Sequence, residues 1–193
     1  MLTGHSLPAL LEELAAPREV PGAGSALAVA LATAAAVVQM AARLSPDSWP
    51  DAAGVAAQAE SLRDRAAKLV DEDAEAYRRA LEARATADES ERPEQRDFSL
   101  GRATAAAAEP PLALARLATD LAELCAAAGP RVELRVHADV AAAAALAAAV
   151  ARGARELVAV NLTALPGDVR VEEADRLVAA AEDRARETFG RAG

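Results

Sequence analysis

Aromatic residues are nearly missing from this chain of 193 residues: they make up 2% of it, as Trp49, Tyr77, Phe98 and Phe189. Sheets are built largely from aromatic and β-branched side chains, so an all-β fold is excluded. Cysteine occurs once, as Cys125, which excludes an internal disulfide; beside Leu121, Leu124 and Ala126 it reads as a small buried hydrophobe rather than a nucleophile. Histidine occurs twice (His5 and His137), and with no cysteine cluster there is no metal-site spacing, so no metal is expected. No Ser-His-Asp arrangement can be inferred either. Lysine is represented by Lys68 alone, and 21 basic against 30 acidic residues leave a net charge of −9. That charge repels phosphate backbones and anionic bilayers, so neither nucleic acid nor a membrane is an expected partner. The start of the chain, MLTGHSLPALLEEL, has no basic region and carries Glu12 and Glu13 early; the expectation is no signal peptide and a cytoplasmic protein.

What fills the space is alanine, 57 residues of 193. Alanine is the best helix former, and the length suits one domain over residues 1–193. The expected fold is therefore all-α. Ser6 is placed to cap a short helix carrying Leu7, Leu10, Leu11 and Leu14, and Pro17–Val20 breaks it. From Ala26 to Ala42 the chain is uncharged and apolar on every side, which in a soluble chain marks a buried central helix. A long helix follows from a cap at Asp51 to about Arg84, with pairs such as Asp64 with Lys68 and Glu75 with Arg79 on its exposed faces. Thr86–Arg92 reads as a polar loop. A further helix begins near Pro93 and must end or kink at Pro110-Pro111. Residues 131–136 alternate like a strand but are too isolated to make a sheet. Val140–Val150 is a second helix apolar all round, and an amphipathic helix follows Gly167.

Four places break this helical logic. Steps of four and three along the long helix give Val55, Ala59, Leu62, Ala66, Leu69, Asp73, Ala76 and Ala80, an apolar seam containing one carboxylate. Asp73 either sits in a ligand pocket, or is neutralised by an arginine, or marks where the seam opens to solvent. Asp71 and Glu72 lie off the seam and read as solvated charges; Tyr77, one turn on, either lines the pocket or packs. The second place is Pro21-Gly22-Ala23-Gly24-Ser25 at the head of the first apolar helix. Gly22 and Gly24 let backbone amides approach a ligand and Ser25 can cap or bind, or the segment is a tight turn. It is neither a Walker loop nor a dinucleotide fingerprint. The third is Asp139, most simply a helix N-cap. The fourth is Asn161 within the apolar run 157–162, which needs hydrogen-bond partners from protein or ligand.

At these places the sequence resembles the C-terminal domain of formiminotransferase-cyclodeaminase, a family that includes stand-alone methenyltetrahydrofolate cyclohydrolases. Pro21–Ser25 resembles the family's Pro-Gly-Gly-Gly-Ser, and Asp71–Tyr77 resembles its Asp-x-Asp-Ala-x-Ala-Phe helix. Pro111-Leu112, Asp139 before an alanine helix, and Val160-Asn161-Leu162 follow in the family's order. The resemblance implies a multihelical homodimer with two long buried central helices. It also implies a one-carbon folate enzyme that hydrolyses 5,10-methenyltetrahydrofolate or cyclodeaminates 5-formiminotetrahydrofolate. Asp73 and Asp139 would be catalytic, and Gly22, Gly24, Ser25, Tyr77 and Asn161 would bind substrate. The partners expected are a second copy of the chain and a small folate-like ligand, with the tetrahydrofolate derivative as substrate and no separate cofactor. Asp73 would stabilise the cationic amidinium and serve as general base. The sequence departs from the family at Ala23, at Ser45–Pro50, which lacks the family's lysines for a polyglutamate tail, and in a longer turn over 129–139 with His137 in place of serine. These departures give a competing reading, a non-catalytic dimeric helical protein of the same fold with a diverged small-ligand pocket.

Overall fold

The computed structural model describes residues 1–45, 49–87, 93–163, 165 and 167–189, with the side chains of 87 and 93–97 outside that description. Among the described residues there is no strand, and the chain forms one helical domain. After a 3-10 turn at Leu2–Gly4 come α1 (Leu7–Ala15), α2 (Ala23–Arg43), α3 (Ala52–Ala87), α4 (Pro93–Ala107), α5 (Glu109–Ala128), α6 (Leu134–Asn161) and α7 (Val169–Phe189). Ser6 caps α1 as its sequence predicts, its hydroxyl accepting from the Ala9 amide at 3.5 Å.

The two apolar helices, α2 and α6, lie side by side at the centre; α3 covers α2, while α5 and α7 cover α6. Each is long and apolar enough to cross a membrane. In the fold they are core helices instead: Leu31, Ala34, Ala35 and Val38 of α2 and Val140, Ala144, Ala147 and Ala151 of α6 are fully enclosed. Alanine on both sides removes the side-chain thickness that usually holds helices apart, so backbones pack closely. Gln39, a polar residue in the second half of α2, is 3% exposed. It is satisfied from α3: its amide donates to Glu60 at 3.0 Å and accepts from Arg63 at 2.8 Å. Cys125 is enclosed in the α5 core, and burial pushes its thiol up to about 12, which makes it inert as a nucleophile.

Two element boundaries differ from the sequence reading. α6 starts at Leu134, six residues before Val140, so Asp139 is not its N-cap but lies in its second turn. Glu133 takes the cap position, and its amide is satisfied by the hydroxyl of Ser45 at 3.0 Å. With an N-terminal amide partnered that way, nothing in 134–139 interrupts the helix, and the strand-like alternation of 131–136 is absorbed into it. α2 starts at Ala23, so Gly24 and Ser25 belong to its first turn and Gly22 is its N-cap. Of the exposed pairs expected on α3, Glu75 holds Arg79 at 2.8 Å, whereas Asp64 is held by Arg63. Asp71 is not merely solvated: it accepts from the Leu2 amide and the Thr3 hydroxyl and pins the start of the chain to α3. The expected loop over 86–92 and the lysine-free segment 45–50 lie partly outside the described residues, at 88–92 and 46–48.

α7 begins on a compact ionic cap. Gly167 takes a positive φ of 82°, a conformation glycine adopts without steric cost. The Asp168 carboxylate then accepts from the Arg170 amide at 3.0 Å and from its guanidinium at 2.7 Å. The Arg170 side chain holds the Asp168 carboxyl down to about 2. A carboxyl depressed in the folded state adds stability above its unfolded value, near 3.9, and loses it as pH falls toward 2. Thermal melts between pH 4 and pH 2 should therefore fall less steeply for Asp168→Asn than for the parent; parallel slopes would contradict the assignment.

Candidate functional site

The first turn of α2 crosses α3 at Asp73, and the crossing is close because residue 24 is glycine. A Cβ on Gly24 would overlap the Asp73 carboxylate outright. Next to it, Ser25 is fully enclosed; its hydroxyl donates to the Val70 carbonyl at 2.8 Å and stands 3.5 Å from Asp73 Oδ2. Asp73 is half-buried, and no described arginine or lysine pairs with it. Burial pushes its carboxyl up from the ordinary aspartate value, against the opposing pull of the Ser25 amide and hydroxyl. Of the sequence alternatives, neutralisation by a buried arginine is thus removed. A ligand pocket and a seam that opens to solvent both stand: the half-buried carboxylate faces a cavity.

That cavity, of about 200 Å³, lies between the start of α2, the middle of α3, the end of α4 and the end of α6. Gly22, Ala23, Gly24, Asp73, Tyr77 and Asn161 line it together with Glu19, Ala107, Leu157 and Val160. Five of the seven residues singled out in the sequence therefore meet there, with Ser25 directly behind as the support of Asp73. Asp139 does not join them within one chain. It is 22 residues from Asn161 on the same helix, about 33 Å along the axis at 1.5 Å per residue.

Tyr77 does line the cavity, and its hydroxyl donates to Glu19 Oε2 at 3.3 Å. Burial and the Glu19 carboxylate push the phenol up, with Arg84 opposing. Asn161 donates from Nδ2 to the Ala107 carbonyl at 2.9 Å. Sequence reasoning missed Glu19, which sits between elements where no periodicity marks it, and Ala107 and Leu157, which carry no chemical signal. Among the described residues the lining holds two carboxylates and no lysine or arginine, an environment that favours a cationic, hydrogen-donating ligand. Larger depressions, of about 460 and 540 Å³, lie along α5, but they are open, and charges of both signs such as Arg65, Asp120, Arg131 and Glu187 alternate there with apolar residues.

The Gly24 crossing yields a test. Gly24→Ala should displace the Asp73 carboxylate while preserving helix α2, since alanine favours helix more than glycine does. Ligand binding at the cavity should be lost with far-ultraviolet circular dichroism unchanged; retained binding would mean that the Asp73–Gly24 contact is dispensable.

A helical domain with a carboxylate set over a glycine in an acid-lined cavity defines an all-α protein with one candidate site at that crossing. Residues 6–180 match the family described as Formiminotransferase-cyclodeaminase, and the chain belongs to that family. Among solved structures, formiminotetrahydrofolate cyclodeaminase from Thermotoga maritima has the same fold, with a TM-score of 0.84 and 22% identity over 98% of each chain. No curated protein matches the sequence significantly.

Proposed function

We propose that this protein is a cytoplasmic, homodimeric enzyme of one-carbon folate metabolism that acts on an amidine-type tetrahydrofolate. The observation that carries this reading is Asp73: a half-buried carboxylate, raised by burial, facing a cavity with no counter-cation among the described residues. Family membership supports the substrate class. Both candidate reactions centre on one amidine carbon. In hydrolysis of 5,10-methenyltetrahydrofolate, water adds to that carbon, the carbon–N5 bond breaks, and 10-formyltetrahydrofolate leaves. In cyclodeamination of 5-formiminotetrahydrofolate, N10 adds to the carbon and ammonia leaves. Asp73 serves both: it balances the amidinium charge, takes the proton from the attacking water or N10, and returns it to N5 or to the departing amine. A carboxyl raised toward neutrality is better matched to that exchange than an ordinary aspartate. A cavity of about 200 Å³ is below the ~300–1,000 Å³ that encloses a drug-sized ligand, so the reacting end enters and the acyl-glutamate tail lies outside.

The centre of the fold supports the dimer. α6 keeps an exposed stripe of Ala138, Ala142, Ala145, Leu146 and Ala149, and α2, packed beside it, exposes Thr33 and Met40. A second copy is the natural cover for an apolar face on two core helices.

The test is titration with 5,10-methenyltetrahydrofolate, followed by its absorbance and by thermal shift, with ammonia release measured from 5-formiminotetrahydrofolate. Turnover of either supports the reading and says which reaction is run. Neither binding nor turnover at millimolar ligand would overturn it in favour of a non-catalytic dimer with a diverged pocket.

A further inference from the structure

Pro110-Pro111 breaks the helical run in an unusual place, beside the cavity. α4 ends at Ala107 and α5 starts at Glu109, yet Ala108 between them keeps right-handed helical dihedrals (φ −80°, ψ −17°). The interruption is therefore not an unwound linker; it is two consecutive residues without an N–H. Proline in the first turn of α5 costs that helix nothing, because its first amides have no partner within the helix. The cost falls on the carbonyls one turn back. In a continuous helix the Ala107 carbonyl would accept from the amide of residue 111; Pro111 has none to offer. The Ala107 oxygen takes the Asn161 side-chain amide instead, at 2.9 Å.

This contact fixes more than a distance. A carbonyl can only accept, so the NH₂ end of Asn161 must face Ala107 and the Oδ1 end must face away. Asn161 lines the cavity and its Oδ1 has no partner among the described residues. We infer that Pro111 is a positioning residue for the ligand site: by withholding an N–H from the Ala107 carbonyl, it orients Asn161 so that Oδ1 is presented to the ligand as a fixed hydrogen-bond acceptor. With Asp73 and Glu19 the cavity then offers acceptors from three sides, matched to an N–H-bearing amidine or amino-heterocycle. The identity of that ligand rests on the folate reading; the positioning does not.

The experiment has a ligand-free arm and a ligand arm. In the first, the Asn161 side-chain amide is assigned in a ¹⁵N spectrum by its disappearance in Asn161→Asp. In the parent its protons should exchange with water more slowly than those of exposed amides, and in Pro111→Ala, which restores a backbone donor to Ala107, the signal should shift and exchange faster. Free exchange in the parent overturns the inference even if Pro111→Ala fails to fold. In the second arm, Pro111→Ala should raise KM for 5,10-methenyltetrahydrofolate about five- to tenfold, the worth of one hydrogen bond to a ligand, with kcat changed much less. The double variant Pro111→Ala/Asn161→Asp should bind no worse than Asn161→Asp alone. Independent, additive losses, or an unchanged KM in Pro111→Ala, overturn it. A coupled Asn161 amide in a protein that binds no folate would support the positioning and overturn the folate reading alone.

Discussion

Asp73→Asn is expected to lower kcat by about a hundred- to ten-thousandfold, the range a positioned acid–base group supplies, while leaving the melting temperature unchanged or higher. The two halves of this expectation come from the same surroundings. Asparagine keeps the shape against Gly24 and the contact with Ser25, so the crossing of α2 and α3 survives. It removes a charge that the fold holds at a cost, because burial pushes the Asp73 carboxyl up. A group raised in the folded state favours folding when protonated, below its unfolded value, and that benefit is lost as pH rises through the raised value. Above that raised value the carboxylate therefore weighs against the fold, and the amide does not. Had an arginine neutralised Asp73, the same substitution would strand that cation and cost roughly 3–5 kcal/mol. Activity and thermal melts, measured on one preparation with and without folate, separate the cases. A large fall in melting temperature with activity retained would make Asp73 structural.

The second large effect concerns the proposed homodimer. Sedimentation equilibrium of the parent at micromolar concentration should give twice the 19.8 kDa chain mass. Ala145→Glu, at an exposed position in the middle of the α6 stripe, should yield monomers with unchanged helix content. A carboxylate forced into an apolar interface without a partner costs roughly 3–5 kcal/mol, more than two decades in the dissociation constant. A parent that sediments as a monomer would refute the dimer; a dimeric Ala145→Glu would move the interface elsewhere.

Much of the architecture is legible in the residues, for identifiable reasons. α2 and α6 stand out because alanine-rich stretches without charge have one soluble use, the centre of a bundle. Asp73 stands out because periodicity makes an apolar seam visible and a carboxylate in it conspicuous. The α4–α5 break is visible because two prolines interrupt a run of alanines. The boundary of α6 is not. A short acidic residue before an alanine run looks like a cap, and only the tertiary contact from Ser45, 88 residues away, places the cap at Glu133. Glu19 escapes for a related reason: in a segment without regular structure, position along the chain says nothing about direction in space. Ala107 matters through a backbone oxygen, which its side chain does not advertise.

The cavity also ties together parts of the chain that fold by different local routes. Gly24 and Asp73 come from α2 and α3, consecutive helices packed on each other, whereas Ala107 and Asn161 come from the ends of α4 and α6. Neither pair makes the site alone. A ligand seated there binds only molecules in which both sets have docked, so it acts as a brace across the domain and its binding energy becomes folding energy. At a hundred times its dissociation constant that brace adds about 2.7 kcal/mol, a sizeable share of the stability of a domain this size. In a cell, the amount of this protein that survives proteolysis would then track the supply of its ligand.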